Sequence, residues 1–159
     1  MGGSVQLTRF LSPATIWLDV DATTKSNLLA FAGLRLSEAI EGMSGEDVCA
    51  LLAARERVAS TGVGEGIAIP HATCAAIDEP LVALIRLRNA IDFDAVDRLP
   101  VALIVVVLAP RGDQALHLRL LARIARLFRS AHVRESLLAA TTVAAAYSII
   151  AETENKASS

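Results

Sequence analysis

Apolar and polar positions follow two rhythms along the chain, and the changes of rhythm divide it into elements. Ile16-Trp17-Leu18-Asp19-Val20 is short, β-branched and aromatic, and it precedes a polar cluster from Asp21 to Asn27; it reads as a strand. From Lys25 to Ile40 the apolar residues Leu28, Leu29, Ala32, Leu36, Ala39 and Ile40 recur at helical spacing, with Gly42 as a stop. Ser44 is a plausible N-cap followed by Glu46 and Asp47, and Val48, Leu51, Leu52 and Arg55 fall on one face of a second helix, with Arg55 near its C-terminal end. Three glycines at alternate positions then break the helix in Ser60-Thr61-Gly62-Val63-Gly64-Glu65-Gly66, a loop or bulged turn. Ile67-Ala68-Ile69 restores a strand pattern, Pro70 fixes the chain direction, and His71 stands at the strand end.

Leu81 to Leu87 and Val101 to Leu108 read as strands, separated by an acidic, turn-rich stretch from Asn89 to Pro100. Asp113 is placed to cap a helix whose apolar face runs through Leu120, Leu121, Ile124, Leu127 and Phe128, with Arg119, Arg123 and Arg126 opposite and His117 on the apolar side. Val133 to Ala140 and Val143 to Ala151 form two shorter helical segments. Residues 1–6 and 152–159 read as tails around one domain spanning 7–151. Helices before, between and after strands of irregular spacing imply an α/β (α+β) domain, a mixed sheet sandwiched between helices; strand order is not legible.

Composition narrows the function classes. With 159 residues, 53% of them hydrophobic and 20% charged, the chain supports one sizeable core and is not disordered. The formal charge of −2 gives no general attraction to nucleic acid. The aliphatic run from Val101 to Ala109 stops at Pro110, well short of the ~20 residues that span a bilayer, so no membrane insertion is expected. The N-terminus has neither a basic nor an apolar signal region, Gly2 to Ser4 have the look of an expression-tag remnant, and a cytoplasmic location is expected. Cys49 and Cys74 make no disulfide framework.

The sharpest chemical feature is the stretch from Arg55-Glu56 through the glycine loop to Ile67-Ala68-Ile69-Pro70-His71. A neutral imidazole can attack phosphorus, and with a reference pKa of ~6.5 most of it is unprotonated at neutral pH. The phosphohistidine so formed carries about −2 charge and needs donors; Arg55, Ser60, Thr61 and the glycine amides are those the segment offers. A Walker loop lacks its Gly-Lys-Ser/Thr ending here, and a dinucleotide fingerprint would need a strand before the glycines and a helix after them, the reverse of this order. The plain alternative is a bulge where two backbones approach, with His71 an ordinary surface imidazole. His117 likewise has two readings, a donor at a helix N-terminus beside His71 or a satisfied buried histidine. His132 reads as surface. His71, Cys74, Cys49, His117 and His132 include metal-ligand types, but only His71 and Cys74 are close in sequence and no metal or other cofactor is expected.

From Arg55 through His71, the chain strongly resembles the enzyme IIA domain of the fructose/mannitol class in the bacterial phosphotransferase system. The resemblance extends to Ile91-Asp92-Phe93-Asp94-Ala95-Val96-Asp97, to the strand ending in Ala109-Pro110 and to His117-Leu118, covers Leu7 to Ile150, and is nearest the nitrogen-regulatory variety. It implies a phosphoryl carrier, a phosphotransferase component with no small-molecule turnover alone. His71 would be the phosphoryl acceptor, supplied by a histidine-containing phosphocarrier protein. His117 would assist, Arg55 would stabilise the phosphate, and Ser60, Thr61 and Gly62 match the phosphate-side loop. It also implies the mixed-sheet fold. One departure stands out: many members follow the histidine with Gly and a basic residue, whereas this chain has Ala72 and Thr73.

Three outputs fit these expectations. The first is a regulator whose protein contacts change with His71 phosphorylation, favoured by the lack of an enzyme IIB segment within the chain. The second is a sugar-specific enzyme IIA handing the group to an enzyme IIB. The third is a phosphorylation-independent binding module, against which the joint presence of His71, His117 and Arg55 argues.

Overall fold

The computed structural model describes residues 5–158, so the reading of Gly2 to Ser4 lies outside the described residues. Six strands form one mixed sheet: β1 (Ile16–Val20), β2 (Gly62–Gly64), β3 (Ile67–Ala68), β4 (His71–Cys74), β5 (Leu81–Ile91) and β6 (Val101–Pro110). Their order is β1-β5-β6-β3-β2, with β4 also paired to β6. β1 runs parallel to β5, β5 antiparallel to β6, and both β3 and β4 parallel to β6.

The pleat explains why β6 is an unbroken apolar run. Leu103, Val105 and Val107 face one core with Leu120, Ile124 and Phe128, while Ile104, Val106 and Leu108 face the other with Leu28, Leu36, Val48 and Leu52. Each fully buried aliphatic side chain of this kind contributes roughly 1.5–3 kcal/mol, and both faces of the strand collect that term. The first face is covered by α3 (Gln114–Phe128), α4 (Ala131–Ala139) and α5 (Val143–Ser158), the second by α1 (Lys25–Ser37) and α2 (Gly45–Val58). The sheet sandwiched between helices is therefore as expected.

Boundaries differ in instructive ways. α1 stops at Ser37 because the amides of Glu38, Ala39 and Ile40 turn back to carbonyls three residues earlier, although Ile40 stays buried. The glycine loop is a small hairpin, β2 antiparallel to β3. Gly62 is needed there, since a Cβ would stand 2.8 Å from Ala95, and Gly64 turns at φ +102°. His71 opens β4 rather than ending a strand.

The expected polar tail is the largest correction. α5 continues through Ser158, because Glu154 is fully buried and accepts from the Leu7 amide at 2.6 Å, the Thr8 amide at 3.0 Å, the Thr8 hydroxyl at 2.9 Å and Arg123 Nε at 3.1 Å. Arg123 accordingly leaves the exposed stripe assigned to it and is buried, while Arg119 and Arg126 are exposed. Among the described residues no helix is long and apolar enough to cross a membrane.

Candidate functional site

β4 carries His71 to an edge of the sheet. The registers His71 with Val107 and Ala72 with Leu108 put His71 on the face covered by α3 and Ala72 on the face covered by α2. The backbone there is held on both sides of the histidine, for Val107 N donates to Pro70 O at 3.0 Å just before the β4 ladder begins. α3 starts where Asp113 accepts from Leu116 N, and its first turn brings His117 to the same place. The two imidazoles stand 5.5 Å apart between centroids, at 79° to each other. His117 therefore lies beside His71, and its Nε2 is buried without a hydrogen-bond partner among the described residues.

His71 Nδ1 lies 2.7 Å from Ile69 O. A carbonyl only accepts, so Nδ1 carries the hydrogen and Nε2 keeps the lone pair. Burial holds the His71 pKa below the ordinary 6.5; the Ile69 hydrogen bond opposes this, Arg55 adds to it and Glu56 opposes it. Burial also lowers His117, with the neighbouring His71 contributing. Both shifts favour the neutral ring at pH 7, and the Ile69 contact leaves His71 Nε2 with the free lone pair.

An open cavity of about 530 Å³ lies over this pair. Leu51 and Arg55 of α2, Ala72 and Thr73 of β4, and Arg111 and His117 from the β6–α3 connection and α3 line it. Arg55 reaches the cavity from the last turn of α2, where its Nη1 also donates to Ala59 O at 2.9 Å. The sequence reading missed Arg111, which is far from His71 along the chain and belongs to no motif; the only signal was a lone cation between the strand end and the helix cap.

Ser60, Thr61 and Gly62 do not line this cavity. Ser60 Oγ donates to Phe93 O at 2.7 Å and accepts from Gly62 N at 3.1 Å. Thr61 is buried, with its amide 2.9 Å and its hydroxyl 2.7 Å from the Glu56 carboxylate. Glu56 in turn meets Lys25 Nζ at 3.1 Å. These residues fasten the β2–β3 hairpin to α2, one step removed from the histidines, and the Thr61 carbonyl passes that restraint to the Ile69 amide at 2.9 Å. The other suggested ligand pairing separates as well: Cys74 has the opposite parity to His71 on β4, is buried, and donates its thiol to Met43 Sδ at 3.4 Å. His132 is exposed.

The chain is similar in sequence and fold to known proteins. A nitrogen regulatory protein of Pseudomonas aeruginosa is 33% identical over 151 residues, covering 95% of this chain and 98% of that protein. The fructose-specific EIIABC component of Bacillus subtilis is 31% identical over 146 residues, 92% of this chain but 23% of that longer protein. The crystal structure of nitrogen regulatory protein IIA-Ntr from Neisseria meningitidis superposes with a TM-score of 0.85 at 36% identity, covering 89% of this chain and 97% of that one. The pattern that defines the phosphoenolpyruvate-dependent sugar phosphotransferase system EIIA 2 family matches residues 9–153, and the chain belongs to that family.

Proposed function

We propose that the protein is a phosphoryl carrier that accepts the group on His71 Nε2 and acts as a regulator through protein contacts. The observation that carries this reading is the imidazole pair: His71, with its lone pair directed to Nε2 by the Ile69 carbonyl, 5.5 Å from His117. In the transfer, the N–P bond of a donor phosphohistidine breaks with its electron pair returning to the donor ring. The Nε2 lone pair forms the new N–P bond. The hydrogen stays on Nδ1, donated to the Ile69 carbonyl, which stabilises the positive charge the ring acquires. His117 Nε2, when it carries a hydrogen, donates to a phosphoryl oxygen, and Arg55 offsets its negative charge. The donor is a histidine-containing phosphocarrier protein.

The end-to-end likeness to nitrogen regulatory proteins supports a regulatory output, since a new dianion changes a surface by charge and desolvation. The likeness to a fructose-specific component supports a second output, delivery to an enzyme IIB. The test is incubation with phosphoenolpyruvate, enzyme I and the phosphocarrier protein, following an acid-labile mass gain in wild type, His71→Ala and His117→Ala. The gain is expected in wild type and absent from His71→Ala. A gain that survives His71→Ala would refute the assignment of the acceptor. Adding an enzyme IIB separates the outputs: a regulator retains its label, a sugar component passes it on.

A further inference from the structure

We infer that Arg111 is a second phosphate-binding cation of this site, supplying from the β6–α3 connection the charge that Ala72 and Thr73 do not provide after the histidine. The inference rests on the reading of His71 as phosphoryl acceptor. Thr73 pairs with Ala109 and Cys74 with Pro110, so Arg111 leaves the sheet directly beyond the strand that carries His71, and it lines the same cavity.

Its electrostatic surroundings are permissive. The cavity wall includes two guanidinium groups, Arg55 and Arg111, two imidazoles with lowered pKa, and no carboxylate. The nearby acids are engaged elsewhere: Asp113 caps Leu116 N, and Glu56 holds Thr61 and Lys25. Arg55 already spends one nitrogen on Ala59 O, whereas Arg111 has no hydrogen-bond or ion-pair partner among the described residues. A phosphoryl group on nitrogen brings about −2 charge, which two arginines balance and one does not. The planar guanidinium also matches two phosphoryl oxygens at once.

The rate of transfer cannot separate a contact with the phosphoryl group from a contact with the donor protein's surface, but the equilibrium can. Once the proteins part, contacts between them cancel, and the partition reports only how well each free protein holds the group. The experiment mixes purified phosphorylated phosphocarrier protein with this protein at equal concentration, without enzyme I, and measures the fraction of label on each at equilibrium. Arg111→Ala is expected to shift the constant about tenfold toward the donor, the size of one exposed charge-assisted hydrogen bond. Arg111→Lys is expected to keep most of the wild-type value, and Thr73→Lys added to Arg111→Ala to recover much of the loss. Thermal melts check that the exposed substitutions leave the fold intact. An unchanged equilibrium in Arg111→Ala overturns the inference, even where the rate falls. Wild type that takes no label at all overturns the acceptor reading itself.

Discussion

At Glu154 of α5 four donors close on one fully buried carboxylate; in the first turn of α3, His117 presents a buried Nε2 with no hydrogen-bond partner among the described residues. Both are polar groups removed from water, and each unsatisfied one costs about 1–3 kcal/mol. The first site gathers its donors on one charge to join the N-terminal segment, α3 and α5, although Arg123 Nη2 there is itself buried with no hydrogen-bond partner among the described residues. The second belongs to a residue that lines an open cavity together with two arginines. The contrast is between donors gathered onto one buried charge and a nitrogen left unpartnered in a residue beside a cavity.

Removing the saturated carboxylate is the largest way to break this comparison. Glu154→Ala strands Arg123 in the core and frees the Leu7 and Thr8 donors, so a loss of about 3–5 kcal/mol is expected in denaturant unfolding. The same experiment on Glu56→Ala should show a smaller loss of about 1–3 kcal/mol, because Lys25 keeps Asp94 at 3.4 Å and only the Thr61 amide and hydroxyl are orphaned. At the cavity the sign reverses. His117→Leu removes an unsatisfied buried nitrogen from a half-buried residue and is expected to raise stability by up to about 1 kcal/mol while slowing phosphoryl uptake. A clear loss of stability there would show that the nitrogen is satisfied in solution after all.

The smallest effect is in pH. Both histidines have folded pKa values below their unfolded value of 6.5, so the unfolded chain binds more protons between the two values and stability rises with pH across that window. The contribution is complete above pH 6.5 and is lost as pH falls through the folded values. Unfolding midpoints measured from pH 7.5 to 5 should decline in wild type and decline less in His71→Asn with His117→Leu. Equal slopes would mean that neither ring is held neutral by the fold.

The sequence made the sheet legible where one residue's neighbours decide its fate. The run from Val101 to Ala109 is apolar on both faces and is buried on both, and Asp113 and Ser44 cap the helices they precede. His71 and His117 were visible through a resemblance and through helical spacing. Tertiary partners hid the rest. Glu154 reads as part of a polar tail because the groups that bury it lie 31 and 147 positions away. Arg123 has the same spacing as its exposed neighbours, and no local pattern marks it as paired. Ser60 and Thr61 offered hydroxyls in the right composition, but the Phe93 carbonyl and the Glu56 carboxylate claim them. Arg111 belongs to no periodicity, and only the register of β4 against β6 brings it to the histidine.

The anchorage of His71, with Pro70 bonded to β6 just before it and β4 laddered to β6 just after it, makes the residue a stiff mount. Local opening there requires breaking the β4–β6 ladder, which slows exchange of the amides that ladder ties down. A group added to such a mount does little mechanical work on the sheet, so what changes is the electrostatic potential outside it. That potential fades over about 8 Å at physiological ionic strength. A partner responding to it must therefore approach almost to contact, and raising the salt should erase its discrimination before it disturbs the fold.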